Sequence, residues 1–381
     1  MKSRGERCSD LDVLFFAEDP GAANFVAPLI SPLIEAGVYP GVFAAGLAES
    51  RFRRAGIKFD PVSRYSSAQD CLEETRPALV AVGTATNQDT YGLALIESAR
   101  KAGVPSIGMV DLPVNAETRF RGRTSDPLAY APDFLLVPDS YTAEAYYRLG
   151  VPSECVAVLG HPHFDHVRAA REEFLTVDRE ELRMCHFTGA KLKDRIVLFA
   201  TEGSARISPP PKGYPHEYTL AGRGHAPGRT ELILEEFLDA VSGLAEKPFL
   251  VLRIHPKDTP HDYAQYLKEF DAISQGGDAL SLIHASDLVV GLSSMLLLEA
   301  TLLGVRTLSI LPRGVERDRL LTIAAGITPC VMSRGELGPI LSKLIKPDSP
   351  TPDAEVLGRL PLNCVGQITS LLLDRLGAAK E

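Results

Sequence analysis

The sequence predicts an α/β protein with two parallel sheets, and two observations support this fold class. Short apolar runs of strand length alternate with helix patterns along nearly the whole chain. The alternation is interrupted by a charged stretch near the middle and then resumes, and a length of 381 residues suits two domains. We therefore predict a first domain over residues 1–175, a linker over 176–193 and a second domain over 194–381.

The first half is a series of strands that end in polar turns. Its first strand, 11–17, leads into Glu18 and Asp19, and a helix over 22–36 ends at Gly37. Further strands are predicted at 41–45, 78–83, 106–110, 134–137 and 156–159, with helices at 91–102 and 141–149. Ligands bind at the carboxyl ends of strands in open parallel sheets, so these turns are candidate site segments.

The second half repeats this pattern. Strands are predicted at 196–200, 249–254, 288–290, 306–310 and 328–332, and helices at 230–244, 278–285, 295–303, 317–325, 336–345 and 363–376. The loop over 201–228 is rich in Gly and Pro and carries Glu202. A loop of this length in a compact domain is usually functional or disordered, so we expect it to be mobile when the site is empty.

Residues 287–310 form the most informative stretch, which predicts a strand, a turn, a buried helix and a second strand. Ser294 is a good N-cap residue, and the free N–H groups behind it suit a phosphate, together with Ser293. Glu299 lies among leucines on a helix that is apolar nearly all round, where a carboxylate is costly without a partner. It either reaches the rim or a backbone donor, or it binds a pair of ligand hydroxyls.

Composition restricts the function classes. The net charge of -9 argues against a general nucleic-acid binder, which would show a basic surplus. The six cysteines are far apart and form no C-x-x-C pair, so we expect reduced thiols rather than a metal cluster or a disulfide framework. The polar N-terminus lacks the apolar core of a signal peptide, and no apolar run is long enough to span a membrane. We expect a cytoplasmic protein.

Several stretches resemble the GT-B superfamily, whose members have two Rossmann-like domains that face a central cleft. They are Gly160-His-Pro-His-Phe-Asp165, Arg253-Ile-His-Pro-Lys257, residues 279–291, and Ser293-Ser-Met-Leu-Leu-Leu-Glu-Ala300 with Gly304. They are similar to hydrolysing UDP-N-acetylglucosamine 2-epimerases and to capsule or teichoic-type sugar transferases. The resemblance implies a nucleotide-sugar enzyme, and it admits a last helix that crosses back onto the first domain.

The chain departs from the epimerase pattern at three places. Ala-Glu-Asp-Pro-Gly21 stands where that family has Gly-Thr-Arg-Pro-Glu, and Met-Val-Asp-Leu-Pro-Val-Asn near Asp111 replaces His-x-Glu-Ala-Gly-Leu-Arg. Leu292-Ser293-Ser294 replaces Ser-Gly-Gly. The sequence therefore favours a glycosyltransferase that acts in surface polysaccharide or glycan biosynthesis.

The resemblance implies a role for each candidate residue. Ser293 and Ser294 would bind the diphosphate of the donor, and Glu299 would accept from the ribose hydroxyls. Arg253, His255 and Lys257 would add positive charge at the phosphates, unless this turn is an ordinary solvated loop. Other substrate contacts are expected from Gly21, Asp111 and Glu202.

An inverting transferase also needs a base on the first domain, and two pairs of residues are candidates. Asp19 and Glu18 are the first choice, although they could simply cap the following helix. His161 and His163 are the second choice, although they could belong to the loop structure.

The partners and alternatives complete the prediction. We expect a UDP-type nucleotide sugar as donor, a glycan or other hydroxyl compound as acceptor, no required cofactor and no metal, since no D-x-D pair stands out. A homodimer is left open. Three alternatives remain: a hydrolysing epimerase, a glycerophosphate-type transferase, and a non-catalytic nucleotide-binding protein.

Overall fold

The computed structural model describes residues 11–85, 87–203 and 218–378. The chain forms two compact units, one of Met1–His166 with Pro361–Glu381 and one of Val167–Leu360. The middle of the loop predicted over 201–228, residues 204–217, lies outside the described residues, so its predicted mobility stays a prediction.

The first unit contains a seven-stranded parallel sheet in the order β3-β2-β1-β4-β5-β6-β7. Its strands are β1 (Val13–Ala17), β2 (Pro40–Ala44), β3 (Asp60–Pro61), β4 (Leu79–Gly83), β5 (Ser106–Met109), β6 (Phe134–Val137) and β7 (Val156–Val158). Its helices are α1 (Pro20–Val26), α2 (Ile30–Glu35), α3 (Gly46–Arg54), α4 (Ala68–Thr75), α5 (Tyr91–Ala102), α6 (Ala116–Arg119) and α7 (Ser140–Arg148). α8 (Pro162–Phe174) begins in this unit and ends in the second.

Side chains of β1 explain why the first sheet is covered on both faces. Successive residues of a strand point to opposite sides, and Val13 and Phe15 belong to one apolar cluster while Leu14 and Phe16 belong to another. All five residues of β1 are buried. A continuous apolar run of this kind is typical of a parallel strand with helices on both faces.

The second unit contains a six-stranded parallel sheet in the order β10-β9-β8-β11-β12-β13. Its strands are β8 (Ile196–Ala200), β9 (Phe249–Arg253), β10 (Ala272–Ser274), β11 (Leu288–Gly291), β12 (Arg306–Ile310) and β13 (Cys330–Val331). Its helices are α9 (Arg179–His186), α10 (Arg229–Ser242), α11 (Ala279–Ala285), α12 (Met295–Leu302), α13 (Leu321–Ala324), α14 (Arg334–Leu344) and α15 (Ala354–Leu357).

The last helix, α16 (Cys364–Ala378), belongs to the first unit rather than the second. Ile368, Leu372 and Leu376 recur every fourth residue and form one apolar stripe, which packs in the same cluster as Val13 and Phe15. The second domain predicted over 194–381 therefore includes a segment that folds with the first unit.

The predicted linker over 176–193 also differs from the structure. It contains α9, which packs on α11 inside the second unit: Arg183 Nε donates to the carbonyl of Ala285 at 2.9 Å, and His186 Nε2 lies 2.9 Å from Ser281 Oγ. The units divide after His166, nine residues before the predicted end of the first domain at 175.

The helix predicted over 22–36 is interrupted. α1 ends at Val26, a 3-10 turn covers Ala27–Leu29, and α2 follows. Pro28 has no N–H to donate to the preceding turn, which explains why the helix does not continue.

Candidate functional site

The Ser293–Ser294 turn lies at the carboxyl end of β11 and begins α12. Ser294 is the N-cap, and its Oγ accepts from the Leu296 N–H at 3.3 Å, as the sequence predicts. The N–H of Ser293 donates to the carboxylate of Glu202, which follows β8. A carboxylate oxygen thus accepts a hydrogen bond from a backbone N–H of this turn.

Glu202 is also bound by Arg229, the first residue of α10. Arg229 Nη1 lies 2.5 Å from Glu202 Oε2, and its Nη2 lies 3.4 Å from Ser293 Oγ. A cation at a helix N-terminus opposes the helix dipole, so it needs anionic partners there. Burial alone lowers the pKa of Arg229, but Glu202 and Glu316 outweigh it, and the net shift is upward.

Glu316 is the second anionic partner of Arg229, and it is 0% exposed. Its Oε2 accepts from Arg229 Nε at 2.8 Å, and its Oε1 accepts from Arg313 Nε at 2.7 Å. Arg319 Nη1 lies 3.8 Å away. Burial raises the pKa of the Glu316 carboxyl. Arg229, and then Arg319 and Arg313, lower this pKa by more than burial raises it, so the net shift is downward.

This cluster gathers three arginines around two carboxylates at the carboxyl edge of the second sheet. Glu202, Ser293 and Arg313 follow β8, β11 and β12, and these three strands are neighbours. We call Glu202, Arg229, Ser293, Arg313, Glu316 and Arg319 the arginine cluster. Its surplus of positive charge and its backbone donor suit an anionic ligand.

The sequence predicts Ser293 and Glu202 as site residues, but it does not single out Arg229, Arg313, Glu316 or Arg319. Arg229 and Glu316 are 87 residues apart, and only the fold brings them together. One signal was available: an arginine at the start of a largely apolar predicted helix is unfavourable unless an anion lies beside it.

Arg253, at the end of β9, and His255 and Lys257, in the turn after it, have different surroundings. The N–H of His255 donates to Thr201 Oγ1 at 2.8 Å, and the N–H of Lys257 donates to His255 Nδ1 at 3.1 Å. His255 therefore lies beside the residue that precedes Glu202, whereas Lys257 is exposed. Arg253 donates to Ser274 Oγ at 2.8 Å and to the carbonyl of Gly276, so it also fixes the loop after β10.

Glu299 lies on α12, five residues after the N-cap Ser294. It is 8% exposed and sits between buried leucines, among them Leu298 and Leu302. The structure thus confirms that a carboxylate is buried in an apolar helix close to the Ser293–Ser294 turn.

Glu18 and Asp19 follow β1 at the carboxyl edge of the first sheet. Glu18 Oε1 accepts from Asn87 Nδ2 at 2.9 Å. Its Oε2 is buried, and no hydrogen-bond partner for it exists in residues 11–85, 87–203 and 218–378. Asp19 occupies the N-cap position of α1, but its side chain does not cap the helix.

Asp111 and Gly21 lie together at the same edge. A Cβ atom on Gly21 would overlap Asp111 Oδ2, so only glycine lets this carboxylate approach the start of α1. Asp111 Oδ1 lies at an ion-pair distance of 2.9 Å from Arg119 Nη1, although without hydrogen-bond geometry. Arg119 is buried and also donates to Thr84 Oγ1 at 2.6 Å. The sequence analysis missed Arg119.

His161 and His163 lie in the interior of the first unit. They are 1% and 3% exposed, and the His161 ring lies 4.7 Å from the ring of Phe25 and 5.5 Å from that of Phe164. Burial, and then the neighbouring His163, lower the pKa of His161 well below its usual 6.5. His161 is therefore neutral at pH 7 and has the surroundings of a core residue.

Across the described ranges, no three His, Cys, Asp or Glu side chains are grouped so that they could hold a metal ion. No helix in the same part of the chain is both long and apolar enough to cross a membrane.

Comparisons with known proteins support the fold and not the activity. No protein-family model matches the chain, and no curated protein matches it in sequence. Among solved structures, it is similar to a UDP-GlcNAc 2-epimerase from Neisseria meningitidis bound to UDP-GlcNAc, with a TM-score of 0.65 and 15% identity over 95% of this chain and 99% of that one.

Two further structures represent both enzyme classes. A UDP-GlcNAc 2-epimerase from Methanocaldococcus jannaschii, in complex with UDP-GlcNAc and UDP, has a TM-score of 0.66 and 13% identity over 95% of this chain and 99% of that one. A glycosyltransferase from Rickettsia africae has a TM-score of 0.59 and 9% identity over 97% and 94%. With its two parallel-sheet units, the chain has an α/β fold of GT-B type, which it shares with these solved structures.

Proposed function

We propose that the second unit binds the diphosphate of a nucleotide sugar at the arginine cluster and that the protein is a glycosyltransferase. One observation carries this proposal: the Ser293 N–H and Arg229 together hold a carboxylate at the carboxyl edge of the sheet. Both groups donate to an anion now, and a phosphate oxygen would accept from the same donors.

Arg229 and Arg313 are suited to this task because they are held in place. Glu316 is fully buried and accepts from both, so neither guanidinium has to be ordered when a ligand arrives. Glu202 supplies one negative charge at the turn. A diphosphate bound in its place would carry a larger negative charge.

Glu299 would bind the ribose. It lies on the helix that begins at Ser294, and a carboxylate can accept from two adjacent hydroxyls at once. The buried environment favours this role, because hydrogen bonds to a carboxylate are stronger where water is excluded.

The acceptor base is proposed on the first unit, with Glu18 as first choice. Its Oε2 is buried and lacks a hydrogen-bond partner among the described residues, so an acceptor hydroxyl could donate to it. Asp19 and Asp111 lie at the same sheet edge and remain candidates. His161 is less suited, because its lowered pKa makes the imidazole a weak base.

The rival function is hydrolytic epimerisation of UDP-GlcNAc, which two of the similar solved structures are named for. It requires no acceptor. The glycerophosphate-type transferase and the non-catalytic binding protein would also bind a nucleotide at the donor seat. Nucleotide binding therefore does not separate them from a glycosyltransferase, whereas an assay of sugar transfer does.

The first prediction concerns the donor seat. Calorimetric titration with UDP, CDP, GDP and TDP should show binding of at least one, and Glu299→Ala should weaken it by about 1.5–3 kcal/mol, roughly ten- to a hundredfold. Glu355→Ala is the matched control, because the Glu355 side chain is 84% exposed and forms a surface ion pair with Arg359 on the next turn. Unchanged affinity in Glu299→Ala would show that Glu299 is not part of the donor seat, and the absence of binding by wild type would contradict the donor seat itself.

The second prediction concerns the reaction. A panel of nucleotide sugars is incubated with the protein, with and without a glycan acceptor, and the products are followed by mass spectrometry. We expect slow hydrolysis without acceptor and a longer glycan with it. Rapid acceptor-free release of a 2-epimeric sugar would instead establish the epimerase. Nucleotide binding without turnover of any sugar donor would exclude both sugar-converting enzymes and leave the glycerophosphate-type transferase and the binding protein.

A further inference from the structure

We propose that the second unit has another anion site, a cavity that binds a phosphate-bearing small molecule at the opposite edge of its sheet. The cavity has a volume of about 300 Å³ and lies where β8, β11 and β12 begin. Arg179, Arg195, Arg306, Asp287 and Gly304 are among its lining residues. This volume is at the lower end of small-molecule pockets, so a phosphate or diphosphate group fits.

The lining has a surplus of positive charge. Three arginines face one carboxylate, Asp287, and that carboxylate is already neutralised from outside the lining. Its Oδ1 lies 2.6 Å from Arg183 Nη2, and its Oδ2 accepts from the Ile196 N–H at 2.8 Å.

Two of the three arginines are fixed by backbone carbonyls. Arg179 Nε donates to His284 at 2.8 Å, and Arg306 Nε donates to Ser349 at 2.9 Å. Burial lowers the pKa of both guanidinium groups, which means that their charge is poorly solvated. An anion in the cavity would offset that cost without requiring the arginines to be ordered first.

Arg195 is the arginine with donors to spare. Its guanidinium has a single partner among the described residues, Asp287 Oδ1, at the long distance of 3.5 Å. Its Nε and Nη2 are thus available to donate to two oxygens of a phosphate, in the bidentate geometry that arginine offers phosphates. Arg195 is therefore the residue whose removal should affect the anion most and the fold least.

This cavity is separate from the arginine cluster. Asp287 precedes β11 and Ser293 follows it, so the strand of four residues separates the two places by roughly 13 Å. None of the residues that line the cavity belongs to the donor seat, so an anion can bind here whether or not a nucleotide binds there.

Pyrophosphate is the probe that tests the site, titrated by calorimetry at constant ionic strength into the full chain. We expect wild type to bind it, and Arg195→Gln to weaken that binding roughly tenfold or more. Arg195→Lys should retain part of the affinity. Arg148→Gln is the matched control, because the side chain of Arg148 is 72% exposed and forms a surface ion pair with Glu144 on its own helix.

Repeating the titration on Arg229→Gln separates this site from the donor seat, because Arg229 does not line the cavity and its loss should leave pyrophosphate binding by the cavity unchanged. In wild type, pyrophosphate should also slow hydrogen exchange at residues 284–287 and 304–306, a readout that does not depend on the folding of any variant. Absence of pyrophosphate binding at millimolar concentration, or Arg195→Gln binding as tightly as wild type, overturns the proposal.

Discussion

At the scale of single residues, Glu202 is both a predicted substrate contact and the group that now occupies the proposed phosphate donors. The sequence predicts a substrate contact, and the structure places its carboxylate on the Ser293 N–H and on Arg229. Because we propose the same donors for the diphosphate, the carboxylate of Glu202 would compete with the diphosphate for them.

Removal of that competitor should tighten nucleotide binding. We expect Glu202→Ala to lower the dissociation constant for the preferred nucleoside diphosphate by roughly three- to tenfold, since one charge-assisted contact no longer has to be broken. Calorimetry on wild type, Glu202→Ala and Glu355→Ala measures this. Weaker binding by Glu202→Ala would mean that Glu202 contacts the ligand directly.

Individual side chains also show the limit of prediction from sequence. Ser294 as an N-cap and Glu299 as a buried carboxylate follow from neighbours within one turn of helix, and the structure confirms both placements. Arg119 donates to Thr84, 35 residues away, and Glu316 accepts from Arg229, 87 residues away, and no local pattern reveals either contact.

At the scale of elements, local signals predict most strands and helices. β12 was predicted over the residues that form it, and α12 ends one residue before the predicted boundary, with Gly304 at φ +76 just beyond its cap. The errors have physical causes. Pro28 interrupts the predicted first helix, and two-residue β3 pairs through so few residues that it leaves no apolar run to detect.

The start of α10 is an element held by charge, and its stability should depend on pH. The pKa of Glu316 is below its usual 4.5 in the folded protein, because the neighbouring arginines outweigh burial. The stabilisation is therefore complete above the unfolded-state pKa and is lost as the pH falls through the folded-state value.

Glu316→Gln should flatten this acid dependence of the second unit. One such group changes the unfolding free energy by at most about 1.4 kcal/mol per pH unit. Denaturant unfolding of wild type and Glu316→Gln, from neutral pH to below 4.5, measures the slope, and Glu355→Gln serves as the exposed control. Equal slopes in wild type and Glu316→Gln would show that the ion pairs contribute nothing there.

At the scale of the whole molecule, the course of the chain differs from a simple succession of two halves. The alternation of strands and helices predicts two sheets, and both are present and parallel. It does not predict where α16 packs, because an apolar stripe of Ile368, Leu372 and Leu376 would suit any core. Only the resemblance to GT-B proteins admitted a last helix that returns to the first unit.

This assignment predicts which unit a change in α16 affects. Leu372 is 0% exposed in the core of the first unit, so Leu372→Ala should reduce that unit's stability by about 2–5 kcal/mol. Ser370→Ala, at an exposed position of the same helix, should change little. The converse variant is Leu341→Ala, which truncates a side chain that is 0% exposed on α14 of the second unit.

Hydrogen exchange under native conditions distinguishes the two units, because each strand reports the opening of its own core. Leu372→Ala should speed exchange of the β1 amides and leave those of β8 unchanged, whereas Leu341→Ala should do the reverse. Faster exchange in β8 on Leu372→Ala would show that α16 stabilises the second unit, contrary to its packing with Val13 and Phe15. Nucleotide affinity measured on Leu372→Ala should match wild type, since every residue of the proposed donor seat lies within Val167–Leu360.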